Sequence, residues 1–300
     1  MGFKMFRLLL YILAMAAILT LTTMPIPALA GGAQIELEPS DGPVGTKIRV
    51  VGEGFETKTE VVISFKTKDN IVQTSYTDEE GCFDIRFTLE ECPVGIHWVW
   101  ASWASGGTSK EVSSYFTVEP KITLNKRFAY VGDEISASGT GFAAEKDITI
   151  YFDDEKVGSG KTDANGSFSA TLQILKSYDG KVTTKAEDVE HNSASASFSI
   201  EQLISFNPKS GPTSTKVTIS GTGFGTEKVI TIYFDDEKIG ESKTNAAGTF
   251  TDPTFHIPRS YNGEHTIKVA DTDNNSDSAS FSTMQSINLN PKSGSVGVLR

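Results

Sequence analysis

The chain has 300 residues, enough for two or more domains, and a formal net charge of −11 at pH 7. An acidic chain repels nucleic acids and anionic lipid surfaces, so the charge argues against nucleic-acid partners and against membrane contact by the folded part of the chain. The simplest interpretation of the negative charge is that it keeps a long, exposed protein soluble.

The first thirty residues have the three-part layout of an export signal. Lys4 and Arg7 give a positively charged start, residues 8–24 are apolar and uncharged, and residues 28–30 (ALA) offer small residues for cleavage. This layout predicts a signal peptide helix over 1–30 and a secreted or cell-surface protein. An uncleaved membrane anchor is the alternative, because the apolar run is just long enough to span a bilayer.

Internal repeats organise the rest of the chain. Residues 148–156 recur unchanged at 230–238, a more distant copy starts at Ile35, and another begins at Ile287. The predicted units are Ig-like module 1 at 31–119, module 2 at 120–202, module 3 at 203–285, and a truncated start of module 4 at 286–300. Units of this length suit small independent domains, because solenoid repeats have only about 20–45 residues.

The hydrophobic pattern within a unit has a period of two. Ile148, Ile150 and Phe152 fall on one face of a predicted strand, and similar runs rich in Val, Ile, Thr, Phe and Tyr recur along each unit. Gly, Asn, Asp and Ser separate these runs at turn-like intervals. The sequence therefore predicts an all-β protein of tandem antiparallel β-sandwiches.

The start of each unit carries a more specific pattern. Residues 35–39 (IELEP), 42–46 (GPVGT) and 48–55 (IRVVGEGF) resemble the opening of an IPT/TIG-type immunoglobulin-like domain, and residues 204–224 repeat it. The second unit keeps 139–142 (GTGF) but lacks the proline-containing start, and the later part of each unit is more similar to prokaryotic cell-surface immunoglobulin-like repeats. The resemblance implies non-catalytic spacer, adhesion or accessory modules.

Two sets of acidic segments are candidates for metal binding or acid–base chemistry. Residues 78–81, 163–166 and 245–248 share Asp or Asn first and Gly last, which is turn chemistry more than a Ca²⁺ loop. The segments 153–155 and 235–237 (DDE) follow a strand and precede Lys, so we predict solvent-exposed hairpin turns. No metal site and no cofactor are predicted.

Catalytic motifs are missing from the sequence. The four histidines are scattered, and no nucleophile elbow, His-Glu-x-x-His, Cys-x-x-Cys or phosphate loop occurs. We therefore predict that the chain is not an enzyme. Cys82 and Cys92 flank a predicted strand that would hold them about 20 Å or more apart, and a disulfide needs Cα atoms within about 7 Å. We therefore predict no bond between them unless that strand is short and bent.

All three tryptophans lie in one strand of the first unit, and they are the predicted ligand-binding residues: Trp98, Trp100 and Trp103. When Gly95 is aligned with the matching glycines of the later units, Trp98 and Trp100 replace Thr and Lys on the outer face. Two large aromatic side chains there predict a sugar-stacking or protein-docking surface. The alternatives are that neighbouring chain covers them, or that a register error of one residue buries them.

These observations favour an exported structural or adhesive surface protein whose partner is a polysaccharide or a surface protein. The alternative is a carbohydrate-binding or accessory region of a larger secreted enzyme whose catalytic part lies outside this chain. Two sequons, at Asn165 and Asn274, are predicted glycan acceptors in turns.

Overall fold

The computed structural model describes residues 32–177 and 180–284, and every regular element in them is a β-strand. The all-β prediction is confirmed. The predicted signal peptide helix and the predicted start of a fourth module lie outside the described residues. The described chain falls into two compact units: one comprises residues 32–38, 49–86 and 98–114, and the other comprises 39–48, 87–97, 115–177 and 180–284.

The first repeat contains eight strands: β1 (Gln34–Glu38), β2 (Asp41–Gly42), β3 (Lys47–Glu53), β4 (Glu60–Phe65), β5 (Ile71–Tyr76), β6 (Phe83–Thr88), β7 (Gly95–Ser105) and β8 (Thr108–Val118). They form a three-stranded sheet in the order β1-β3-β6 and a five-stranded sheet in the order β2-β8-β7-β4-β5. Strand β5 is therefore at one edge of the five-stranded sheet, and β7 lies inside it.

The second repeat contains β9 (Lys121–Leu124), β10 (Phe128–Ala129), β11 (Glu134–Thr140), β12 (Asp147–Phe152), β13 (Glu155–Lys161), β14 (Phe168–Gln173), β15 (Lys181–Asp188) and β16 (Ser193–Ile200). The third contains β17 (Leu203–Asn207), β18 (Ser210–Gly211), β19 (Lys216–Thr222), β20 (Val229–Phe234), β21 (Glu237–Lys243), β22 (Thr254–His256), β23 (Gly263–Asp271) and β24 (Ser276–Thr283). Both build the same pair of sheets, of three and five strands, as the first repeat.

Alternating burial along these strands creates the cores, as the period of two predicts. In β12 the side chains of Ile148, Ile150 and Phe152 are buried, and the residues between them are half-buried. The second and third repeats each contain one cluster of buried apolar residues. The buried residues of each cluster come from both the three-stranded and the five-stranded sheet of the repeat, which is the arrangement of a β-sandwich. The module boundaries given above remain predictions.

The DDE segments form the predicted hairpins. Strands β12 and β13 pair antiparallel, and the two residues between them, Asp153 and Asp154, have φ angles of 43° and 69°. Positive φ at both central residues is the signature of a type I′ turn, whose twist matches the twist of the paired strands. Asp235 and Asp236 repeat this geometry between β20 and β21.

Candidate functional site

Strand β7 places two tryptophans on the outer face of the five-stranded sheet. Val99 and Ala101 are fully buried on its inner face, whereas Trp98 is 47% exposed and Trp100 is half-buried. Successive side chains of a strand point to opposite faces, so Trp98 and Trp100 share one face about 7 Å apart. The predicted register of this strand is therefore correct.

Trp103 lies on the opposite side of the same strand. It pairs with Val61 of β4, whose side chain is buried, and its ring centre is 4.7 Å from that of Phe55 in an edge-to-face contact. Phe55 in turn packs edge-to-face on Phe83 at 5.1 Å. The structure thus brings Trp98 and Trp100 together and separates Trp103 from them.

In the other repeats the position of Trp100 is a lysine, and its partner on the neighbouring strand is a tyrosine. Trp100 pairs with Ser64 of β4, whereas the matching pairs are Tyr151 with Lys185 and Tyr233 with Lys268. The first repeat therefore carries its aromatic ring on β7, the middle strand of the sheet, whereas the other repeats carry it on β12 and β20, which match β4. Because each repeat has one large ring in this row, Trp100 compensates for the small Ser64 as well as presenting a surface.

Trp98 has no such counterpart. The carbonyl oxygen of Trp98 accepts a hydrogen bond from the Lys66 N–H, and the carbonyls of Thr183 and Thr266 accept the same bond from the turns after β12 and β20. A threonine thus occupies this backbone position in the second and third repeats. An extra indole at an outer-face position is the feature that distinguishes the first repeat from its copies.

A second feature lies beside Trp103. An open cleft of about 540 Å³ is lined by Gly32, Ala33, Gly54, Glu56, Trp103, Lys110 and Glu111. The Glu56 carboxylate accepts a hydrogen bond from the buried Ser105 hydroxyl, and the Lys110 Nζ lies 3.9 Å from that carboxylate. The cleft combines one aromatic face with charged and hydrogen-bonding groups, which is chemistry suited to a polar ligand.

The acidic D-x-x-G segments are turns, as predicted. The Asp163 Oδ1 accepts hydrogen bonds from the N–H groups of Asn165 and Ser167, both at 2.9 Å. Asp78 and Asn245 make the equivalent pairs of bonds in the other repeats. The side-chain oxygen that could have faced a cation is thus used by the backbone. No group of three or more potential metal ligands occurs in the described part of the chain.

Two buried aspartates were not identified from the sequence. Asp188, at the end of β15, accepts hydrogen bonds from the N–H groups of Glu190, Asn192 and Ala143 and from the Asn192 side chain. Asp271 repeats this arrangement at the end of β23. Asp188 pairs with Ile148 and Asp271 pairs with Ile230, as Trp103 pairs with Val61 in the first repeat. The two aspartates therefore occupy the position of Trp103. Their only sequence signal is an Asp before a polar turn, which many surface turns share.

A histidine, an aspartate and a threonine meet in the third repeat. The His265 Nδ1 lies 2.5 Å from the Asp235 Oδ2, and its Nε2 lies 3.1 Å from the Thr283 Oγ1 and 2.8 Å from the Tyr261 carbonyl oxygen. The Thr283 hydroxyl donates to the same carbonyl at 2.6 Å, so its proton points away from His265. The His265 side chain is fully buried and stacks on Phe234, so the geometry resembles a nucleophile–base pair but serves packing.

The third repeat is expected to lose stability as the pH rises above the pKa of His265. Burial alone would lower that pKa, but the Asp235 carboxylate and the Tyr261 carbonyl outweigh burial and raise it above 6.5, while His265 lowers the pKa of Asp235. The stabilisation from His265 is therefore fully present below pH 6.5, and it is lost as the pH rises through the raised pKa of His265 in the folded state. The stabilisation from Asp235 is lost as the pH falls through the lowered pKa of Asp235 in the folded state.

Thermal unfolding measured by calorimetry from pH 5 to pH 9 tests this expectation. His265→Val, which introduces the residue that the second repeat has as Val182, should remove the alkaline loss. A pH profile that is the same in the variant and the parent chain would contradict it.

The two predicted glycan acceptors, Asn165 and Asn274, are exposed in turns. No disulfide joins Cys82 to Cys92, and the Cys92 side chain is buried. Across residues 32–177 and 180–284, no helix has the length and apolar character needed to cross a bilayer.

Comparison with known proteins supports the resemblance seen in the sequence. Residues 202–285 match the family model described as IPT/TIG domain, which confirms the resemblance for the third repeat. No curated protein matches the chain by sequence.

Solved structures match the chain at low identity and low TM-score. The tetra-tandem repeat of the extending region of a large adhesion protein has a TM-score of 0.32 and 16% identity, with 85% of this chain and 74% of that chain covered. The Bacteroides ovatus protein SGBP-B, in complex with a mixed-linkage heptasaccharide, gives 0.28 and 12%, with 85% and 67% covered. Invasin, a bacterial integrin-binding protein, gives 0.29 and 14%; this chain spans 60% of it.

Proposed function

We propose that the protein is exported and acts at the cell surface as a structural or adhesive chain of immunoglobulin-like modules, with the face formed by Trp98 and Trp100 as its binding surface. The observation that carries the proposal is the departure of the first repeat from its copies. On a shared scaffold, it presents two indoles where the others present threonine and lysine.

The use of the polar side chains supports a non-catalytic role. The carboxylates of Asp163, Asp188 and Asp271 accept backbone hydrogen bonds in turns, and the His265 ring is buried between Asp235 and Thr283. A general acid or base has to reach a substrate within hydrogen-bond distance. Groups whose lone pairs and protons are already used inside the fold stabilise the scaffold instead.

The geometry of the tryptophan face favours a ligand that is itself flat and extended. Rings that project from one strand about 7 Å apart can stack on successive units of a polymer or insert into a protein partner. A polysaccharide is the partner that we favour for stacking, and a surface protein is the other candidate. The carbohydrate-binding reading is also the one under which the chain would be an accessory region of a larger secreted enzyme.

Tryptophan fluorescence tests the proposed surface directly, because all three tryptophans lie in β7. The Trp103→Phe chain removes the indole that faces Phe55, so that the emission comes from the outer face alone. Titration of this chain with soluble β-glucan and with soluble peptidoglycan should shift the emission to the blue. Trp98→Ala in the same background should weaken the binding at least tenfold.

The matched control is Tyr76→Ala, which removes an exposed aromatic ring from β5 of the same sheet and should leave binding unchanged. Equal losses in the Trp98 and Tyr76 variants would show that the tryptophan face is not the binding surface. The proposal fails if no polymer changes the emission and if Trp98→Ala abolishes the pull-down of no surface protein. The first repeat would then be a spacer.

A further inference from the structure

Strand β5, at the edge of the first repeat's five-stranded sheet, carries no charge. Its sequence is IVQTSY, and it pairs on one side only, with β4. Ile71 and Tyr76 are 59% and 67% exposed. An uncharged edge strand rich in β-forming residues presents unpaired backbone groups that can pair with another strand.

The same edge is protected in the other two repeats. Strand β13 (EKVGSGK) and strand β21 (EKIGESK) occupy the position of β5 in their sheets, and each carries two lysines and at least one glutamate. Charged side chains, and lysine above all, are the usual means by which proteins block pairing at an edge. The first repeat lacks this protection on an otherwise shared scaffold.

The segments that flank β5 also differ in charge. The turn before it contains Lys66, Lys68 and Asp69 and has a net positive charge, and the turn after it contains Asp78, Glu79 and Glu80. Within the chain Lys68 pairs with Glu111 and Glu79 pairs with Lys58, both at the exposed surface. These side chains are exposed. In the second and third repeats the turn before the edge strand is the acidic DDE segment, so no basic turn precedes the strand there.

We propose that the first repeat associates with the first repeat of a second copy of this chain, through antiparallel pairing of the two β5 strands. A two-fold axis through the middle of β5 brings the start of one strand beside the end of the other. The basic turn of each copy then faces the acidic turn of its partner, twice over. The two five-stranded sheets become one sheet of ten strands across the axis.

Charge selects this occupant over a copy of the other edges. Pairing β13 or β21 with itself would bring charged side chains into the paired strands, and the turns that precede these strands contain aspartates and no basic residue. For β5, every backbone pair in the centre is uncharged and both ends are complementary. Because one strand edge buries less area than a standard interface, the association is expected to be weak and dependent on concentration.

Sedimentation velocity of the full chain, from about 10 µM to about 500 µM, measures the association. The parent chain should shift towards a dimer over this range. Thr74→Lys places a charge in the middle of β5 on an exposed side chain, and should weaken the association at least tenfold. Ser159→Lys is the matched control, because Ser159 pairs with Thr149 as Thr74 pairs with Val62.

Charge exchange gives an independent test at the ends of β5. Lys66→Glu combined with Lys68→Glu makes both flanking turns acidic, and should weaken the association. Adding Glu79→Lys and Glu80→Lys restores complementarity and should restore it. A loss that the second pair of changes does not repair would overturn the assigned antiparallel arrangement.

Cross-linking locates the axis. In a Cys82→Ser background, which keeps the buried Cys92, one cysteine is added in turn at Gln73, Thr74 and Ser75. One of the three should form a symmetric disulfide, because one residue of a two-fold strand pair meets itself. Ser159→Cys should form none. The proposal is overturned if the parent chain stays monomeric throughout, if the two lysine variants behave alike, or if no β5 cysteine cross-links above the Ser159 control. Circular dichroism melts confirm that each variant is folded.

Discussion

Phe142→Ala is expected to lower the free energy of unfolding of the second repeat by about 3–5 kcal/mol. Phe142 is completely buried, and its ring lies 5.4 Å from that of Phe168 in an edge-to-face contact. Removing the ring loses its transfer free energy and leaves a cavity in a cluster whose other members are held by two sheets. The equivalent rings, Phe224 and Phe250, show that the same contact is built into the third repeat.

Hydrogen exchange is the measurement for this variant, because tryptophan emission reports only on the first repeat. Amides of β11 and β14 should exchange faster, in proportion to the lost stability, while amides of β19 and β20 in the third repeat stay unchanged. Leu175→Ala is the control, since Leu175 is 71% exposed in the same repeat. A Phe142 variant that exchanges like the Leu175 variant would contradict the proposed core.

The repeated G-x-G-F motif shows why the fold was predictable. A Cβ on Gly139 would lie 2.0 Å from the Phe168 ring, and Gly141 has a φ of 70°, so one glycine gives room to the aromatic contact and the other makes the turn. These are local demands, which leave a fixed sequence pattern. Alternation in the strands and the hairpin turns after β12 and β20 are equally local, and the sequence predicts both.

The candidate site was predictable only in part, because its residues depend on pairings between distant strands. Alternation along β7 placed Trp98 and Trp100 on one outer face correctly. It also implies that Trp103 points the other way, but only the contact with Phe55 shows what the ring meets there. The exchange of aromatic positions between Ser64–Trp100 and Tyr151–Lys185 appears only once the register of β4 with β7 is known.

The buried polar groups could not be predicted from the sequence, because their contacts also join distant segments of the chain. His265 meets Asp235 across 30 residues, and nothing in either segment distinguishes them from the exposed His191 and Asp153. Asp188 reaches back to Ala143 in the same way. Periodicity predicts which face of a strand is buried, but it does not predict which loop supplies a hydrogen-bond donor to that face.

Asp188→Ala is expected to lower the free energy of unfolding of the second repeat by about 3 kcal/mol, because several donors lose their acceptor at once. The most costly is the Ala143 N–H, which is buried and donates to the Asp188 Oδ2 at 2.9 Å. The turn to Asn192 also loses the oxygen that closes it. In the first repeat the same position is Trp103, which packs on Phe55, so the scaffold fills it with either a hydrogen-bonded carboxylate or an aromatic ring.

Urea unfolding followed by hydrogen exchange in β12 and β15 measures the loss. Asp163→Ala is the matched control, since Asp163 also accepts two backbone bonds but does so in an exposed turn, and should cost only about 1 kcal/mol. Asp188→Asn keeps one oxygen for the turn but turns an NH₂ group towards the Ala143 N–H, so its loss should fall between the two. Equal losses for Asp188→Ala and Asp163→Ala would mean that burial of the carboxylate adds nothing, and that the ends of β15 and β23 are ordinary surface turns.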